Sequence, residues 1–164
     1  MVEPRQVLNC LHALWPGTPY APGEVVGQKT SMSFVPSIKE MLSGLLPGVP
    51  QVMFPDALVK DTPAFADALR KHRVTRLNVV PSHLAALLDH AGKLDSLRHV
   101  TTAGEPLSRR LCERLVGALP AAQLHNDYGC SEQNDITCCA DEGLRVRHVV
   151  VPAATRSPTA VCIF

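Results

Sequence analysis

The chain has 164 residues, is 46% hydrophobic and 19% charged, and carries 16 Lys+Arg against 15 Asp+Glu. That apolar share can form the core of one ordinary domain, or of a piece of a larger one. The near balance of charge leaves no electrostatic footprint for nucleic acid or an anionic membrane.

The apolar runs are too short for a bilayer helix. The opening MVEPRQVLNC carries Glu3 and no apolar stretch, so it does not read as a secretory signal. A reducing, cytoplasmic setting is the expectation. The six cysteines are Cys10, Cys112, Cys130, Cys138, Cys139 and Cys162, and no two form a C-x-x-C pair. That spacing does not suggest structural zinc. It suits small buried apolar residues instead. The other histidines, His12, His72, His83, His90, His99 and His148, show no i, i+4 spacing of metal ligands.

Helical and extended patterns alternate along the chain. Glu3 to Trp15 puts Val7, Leu8, Leu11, Leu14 and Trp15 at helical spacing. PGTPYAPGE is a loop, and Glu24 to Ser31 can hold a short strand. Ser37 to Leu46 predicts a helix with Ile38, Met41, Leu42 and Leu45 inward. PGVP stops it, and Gln51 to Phe54 reads as a strand. Thr62 can cap a helix with Pro63 in its first turn, running to about His72 with Phe65 and Leu69 inward. Arg76 to Val80 is a strand, and Pro81 opens a helix bearing Leu84, Leu87 and Leu88. His99 to Thr102 is a strand, and Leu107 to Leu119 a helix with a leucine stripe. Gln123 to Asn126 is a strand, and Asp127 to Glu132 reads as a loop.

This β-α rhythm predicts an α/β fold, a mostly parallel sheet with flanking helices. Residues 1–140 read as one unit. Residues 141–164 read as a divergent or truncated tail, with a strand-like run from Val146 to Val151. Ligands of parallel sheets bind at the carboxyl ends of strands. TTAGEPL (101–107) and LHNDYGCSEQ (124–133) sit at such ends, one β-α unit apart, so they can line one crevice.

Four segments in order resemble the adenylate-forming family, the acyl-CoA synthetases and the adenylation domains of nonribosomal peptide synthetases. They are KTSMSFVPSIKEML (29–42), RVTRLNVVPSHLAALLD (73–89), the turn Ala103-Gly104-Glu105-Pro106-Leu107, and the loop Asn126-Asp127-Tyr128-Gly129-Cys130-Ser131-Glu132. The similarity is strongest to the peptide-synthetase-like, amino-acid-activating branch and covers about residues 1–140.

The resemblance implies a partial large domain of an enzyme that activates a carboxylic, amino or β-amino acid with ATP. In it, the acyl group passes on to coenzyme A or the phosphopantetheine arm of a carrier domain. It implies that the Gly104-Glu105-Pro106 backbone and the Tyr128 ring bracket the adenine of ATP or AMP. Asn126 and Gly129 shape the loop, Ser131 meets the α-phosphate, and Glu132 holds Mg2+, a hard cation suited to a carboxylate. Phe34, Val35 and Ser37 fall in the substrate-pocket segment. Without the resemblance, each of these is an ordinary turn or packing residue.

Departures from the family pattern are also legible. No Ser/Thr/Gly-rich phosphate loop with its lysine occurs, and the ribose-binding aspartate and the catalytic lysine of the small C-terminal domain are not found. The expectation is a fragment that is inactive alone, with no catalytic residue of its own. Val35-Pro36 stands where amino-acid-activating members often carry an aspartate for the substrate ammonium. Either the substrate is not an α-amino acid, or another residue supplies the charge. Cys130 occupies a commonly proline position, and His125 is five residues away. No third orienting residue or protease signature supports a Cys-His nucleophile. The alternative is a non-catalytic α/β module that binds a nucleotide or a partner.

Overall fold

A computed structural model describes residues 5, 7–8, 11–12, 15–16, 18–34, 36–130, 133–139 and 149–150. Its strands are β1 (Val26–Gln28), β2 (Gln51–Met53), β3 (Arg76–Asn78), β4 (His99–Thr102), β5 (Gln123–Cys130), β6 (Gln133–Cys139) and β7 (Val149–Val150). The helices are α1 (Pro36–Leu45), α2 (Asp56–Lys60), α3 (Thr62–Lys71), α4 (Pro81–Leu87) and α5 (Arg109–Ala118), with a 3-10 turn at Leu88–Lys93. One sheet runs in the order β2-β1-β3-β4-β5-β6-β7. Its first five strands are parallel, and β6 and β7 add antiparallel to β5. The α/β expectation therefore holds.

Local chemistry explains most boundaries. Asp61, one residue before Thr62, caps α3 by accepting from the Ala64 backbone N–H at 3.1 Å, and Pro63 sits in the first turn. Ser108 caps α5 by accepting from the Leu111 N–H at 3.3 Å. Pro81 opens α4, as its ring pre-sets the helical φ. Leu84, Leu87 and Leu88 are buried, as are Leu111, Leu115 and Leu119. With Phe54, Phe65 and Leu69 they join one apolar core. At Gly27 of β1, a Cβ would lie 3.0 Å from Val74 Cγ1, so a side chain there would have to push its neighbours aside.

Four sequence expectations differ from the structure, the first being the cap of α3, which is Asp61 and not Thr62. In α1 the inward residues are Ser37, Lys39, Glu40 and Gly44, whereas Ile38 is 38% and Leu45 56% exposed. Helical spacing located the element and gave it the wrong face, because the buried charges of Lys39 and Glu40 find partners at Asp127 on β5 and at the Thr30 backbone. Asp127 continues β5 instead of opening a loop, since pairing with β6 extends the strand to Cys130. At the N-terminus, Val7 and Leu11 are buried but Leu8 is 45% exposed, and Leu14 lies outside the described residues. Among the described residues no helix is long and apolar enough to cross a membrane.

Candidate functional site

The predicted turn and loop are brought together. Strands β4 and β5 are parallel neighbours in register, with Thr102 opposite Asn126. The Thr102 hydroxyl donates to Asn126 Oδ1 at 3.1 Å, which ties the carboxyl end of β4 to the middle of β5. Just beyond, the chain leaves β4 at Gly104, whose φ of +83° is open to glycine without strain. Gly104, Glu105 and Pro106 are exposed. The Glu105 carboxylate turns back to α4, accepting from the Ser82 N–H at 2.8 Å and the Ser82 hydroxyl at 2.9 Å. A flat base could lie on such a turn through its backbone while the carboxylate remains engaged.

Tyr128 and Gly129 lie on β5, where Tyr128 pairs with Thr137 of β6 and the register shifts before Cys130. Val35, Ser131 and Glu132 lie outside the described residues. Phe34 is 64% exposed. Ser37 is fully buried and its hydroxyl has no hydrogen-bond partner. Neither residue lines the cavity described next.

That cavity, of about 100 Å³, lies between one face of the sheet, α1 and the N-terminal segment. Lys39, Glu40, Asn78, Arg76, His99 and Asp127 are among its walls. Lys39 pairs with Asp127, 88 residues away, and both are buried. Glu40 Oε2 accepts from the Thr30 N–H at 2.9 Å. Burial pushes the Glu40 carboxyl up, against the pull of Thr30 and Lys29, and pushes the Lys29 ammonium down.

Deeper in, Arg76 forms a fork on Glu24 and donates to the carbonyls of Thr18 at 3.0 Å and Pro19 at 2.6 Å. Its guanidinium lies 4.0 Å from the centre of the Tyr20 ring. His99 Nδ1 is 3.4 Å from His125 Nε2, and their rings stack. Burial, then the charges of Arg76 and His125, holds His99 down to about 4, so it is neutral at pH 7. His125 is thus committed to a histidine pair inside the fold. Among the described residues no group of three or more His, Cys, Asp or Glu is placed to hold a metal ion.

Sequence reasoning missed the Lys39–Asp127 and Glu24–Arg76 pairs. The available signal was charge inside apolar segments: Lys39-Glu40 within a helix, and Arg76 opening the strand RLNVV.

The AMP-binding enzyme family matches residues 1–160. This chain belongs to that family. It is 39% identical over 140 residues to phosphinothricin tripeptide synthetase PhsB of Streptomyces viridochromogenes, covering 79% of this chain and 12% of that protein. It is 34% identical over 134 residues to indigoidine synthase of Dickeya dadantii, covering 80% of this chain and 9% of that protein. The chain thus spans a small part of these relatives. The fold matches the nonribosomal peptide synthetase FmoA3 with a TM-score of 0.77 at 22% identity, over 84% of this chain and 15% of that one. An AMPPNP-bound form of that protein also matches. The chain is therefore part of an AMP-binding adenylation domain of the peptide-synthetase type.

Proposed function

We propose that this chain is part of the large domain of an enzyme that activates an amino or β-amino acid as its acyl-adenylate. A carboxylate oxygen attacks the α-phosphorus of ATP, the bond to the bridging oxygen of pyrophosphate breaks, and pyrophosphate leaves. What carries this reading is the pairing of β4 and β5, which sets the Gly104 turn beside Asn126 on β5, in a chain of this family.

The roles are those that membership of this family implies, weighed against the chemistry of each residue type. The backbone of Gly104, Glu105 and Pro106 forms one side of an adenine site, and the Tyr128 ring the other. Asn126, held by Thr102, shapes the segment of β5 that leads to Tyr128. Ser131 meets the α-phosphate. Glu132 supplies a carboxylate for Mg2+, which when bound screens the phosphate charge. In the whole enzyme a carrier domain's phosphopantetheine thiol, or coenzyme A, accepts the acyl group.

The 164 residues contain no Ser/Thr/Gly-rich phosphate loop with a lysine. Charge on the leaving pyrophosphate is then not stabilised by this segment, and the segment alone binds nucleotide without turning it over. Two measurements test this. Calorimetry with AMP should give a signal that Tyr128→Ala removes; no signal from the unaltered chain refutes the adenine site. Carboxylate-dependent ATP–pyrophosphate exchange should be absent, and exchange well above a Glu132→Ala control refutes the inactivity.

A further inference from the structure

The two faces of the sheet are covered unequally. Side chains alternate along a strand. Leu77, Val100 and Leu124 turn into the apolar core with α3, α4 and α5, whereas Arg76, His99 and His125 turn to the cavity under α1 and the N-terminal segment. Parallel sheets are ordinarily buried on both faces by apolar layers.

Helix α1 is built inside out. Its charged residues, Lys39 and Glu40, are buried against the sheet. Its outer side carries Ile38 and Leu45, both exposed and seven residues apart, so they lie two turns along one stripe. Met41 and Leu42 are half-buried between them. Phe34 and Met32 continue the apolar surface before the helix, and Leu46 after it. Met53 widens it on the edge strand β2. The Gln51 amide donates to the Met41 carbonyl at 2.7 Å, so Gln51 turns toward α1, and Met53, two residues along the strand, shares that side.

Area and charge choose the occupant. Met32, Phe34, Ile38, Leu45, Leu46 and Met53 are 38 to 76% exposed and together present roughly 700 Å², close to the ~800 Å² each partner gives to a standard interface. These six side chains include no charge, so two copies can bring them together without like-charge repulsion, and an acidic or basic partner finds no complement among them. The stripe is also self-complementary. About a two-fold axis at Met41 and Leu42, Ile38 of one copy meets Leu45 of the other.

We propose that α1 is a self-association surface, through which two copies of this chain pair antiparallel by Ile38, Met41, Leu42 and Leu45. The inference goes beyond the nucleotide reading and does not rest on it.

The test is sedimentation velocity on the full 164-residue chain from about 1 to about 200 μM, a range in which an interface of this size and modest quality dissociates. Monomer should give way to dimer. Ile38→Lys and Leu45→Lys should each raise the dissociation constant about tenfold or more, because each buries a charge on pairing. Both positions are exposed in the single copy, and thermal melts check folding; if one variant unfolds, the other decides. Ala118→Lys, exposed on α5 across the sheet, should leave association unchanged. Ile38→Lys mixed with Leu45→Glu should recover dimer that neither forms alone, since the new charges face each other in the mixed pair.

A chain that stays monomeric throughout overturns the proposal and leaves the face to further polypeptide of a longer parent. Association that both lysine variants leave intact, or that Ala118→Lys weakens as much, overturns it too. Mixed variants that fail to pair overturn the antiparallel arrangement. AMP binding is read on the same samples, and its absence refutes the adenine site while leaving the pairing standing.

Discussion

Glu105 and Ser82, 23 residues apart, meet at two points: the carboxylate accepts from both the backbone N–H and the hydroxyl of Ser82. Helix α4 has no side-chain cap from Val80, the residue that precedes it, so Glu105 supplies the missing acceptor from another loop. The negative charge also sits at the positive end of the helix. Glu105→Ala should lower stability by about 1 kcal/mol, read as a small fall in melting temperature. AMP affinity should fall as well, because the turn loses its anchor. An unchanged melt would show that the contact contributes nothing.

The Lys39–Asp127 pair is buried on both sides. Removing one partner strands a charge. Lys39→Met alone and Asp127→Leu alone should each cost about 3 to 5 kcal/mol in urea unfolding. The double variant should recover much of that loss, because neither charge is then left unpaired. Additive losses in the cycle would show that the two side chains do not interact.

Arg76 is held by Glu24, by two backbone carbonyls and by the Tyr20 ring. Lysine keeps the charge but not the planar fork. Arg76→Lys should therefore release the 18–24 segment from the sheet. The expected result is faster amide exchange at Val25 and Glu24 with little change in α5. Uniform exchange along the chain would contradict this role.

The fold was legible because its signals are local. Alternating apolar segments with Pro63 and Pro81 at helix starts, and Gly104 after a strand, need only neighbours to be read. The inner face of α1 was not. Its apolar residues repeat at helical spacing, yet Lys39 and Glu40 turn inward because their partners are Asp127, on β5, and the Thr30 backbone. No window around residue 39 contains residue 127. The strand character of Asp127 was hidden for a related reason, since β6 supplies the pairing that a polar stretch lacks on its own. Of the candidate site, the turn and the strand end were legible as motifs, and the charged cavity only as a folded object.

Stability should also depend on pH through His99. Its folded value of about 4 lies below the ordinary 6.5, with burial the main cause and Arg76 and His125 adding to it. Between those values the unfolded chain binds more protons. The contribution is thus complete above pH 6.5 and is lost as pH falls toward 4. The slope is at most about 1.4 kcal/mol per pH unit, less where water reaches the ring. Glu40, whose carboxyl is raised by burial, acts in the opposite sense. Urea melts at several pH values, for the chain and for His99→Gln, separate the two. The variant should lose less stability on acidification, and parallel curves would exclude His99 as the source.

Asp127 and Lys39 are separated by 88 residues, a span that includes β2, β3 and β4. Closing so long a loop is entropically unfavourable until the intervening strands are aligned. The ion pair therefore joins two elements that meet only once those strands are aligned. The cavity is thereby a long-range junction, walled by residues from both ends of the described chain and fastened by the Lys39–Asp127 and Glu24–Arg76 pairs.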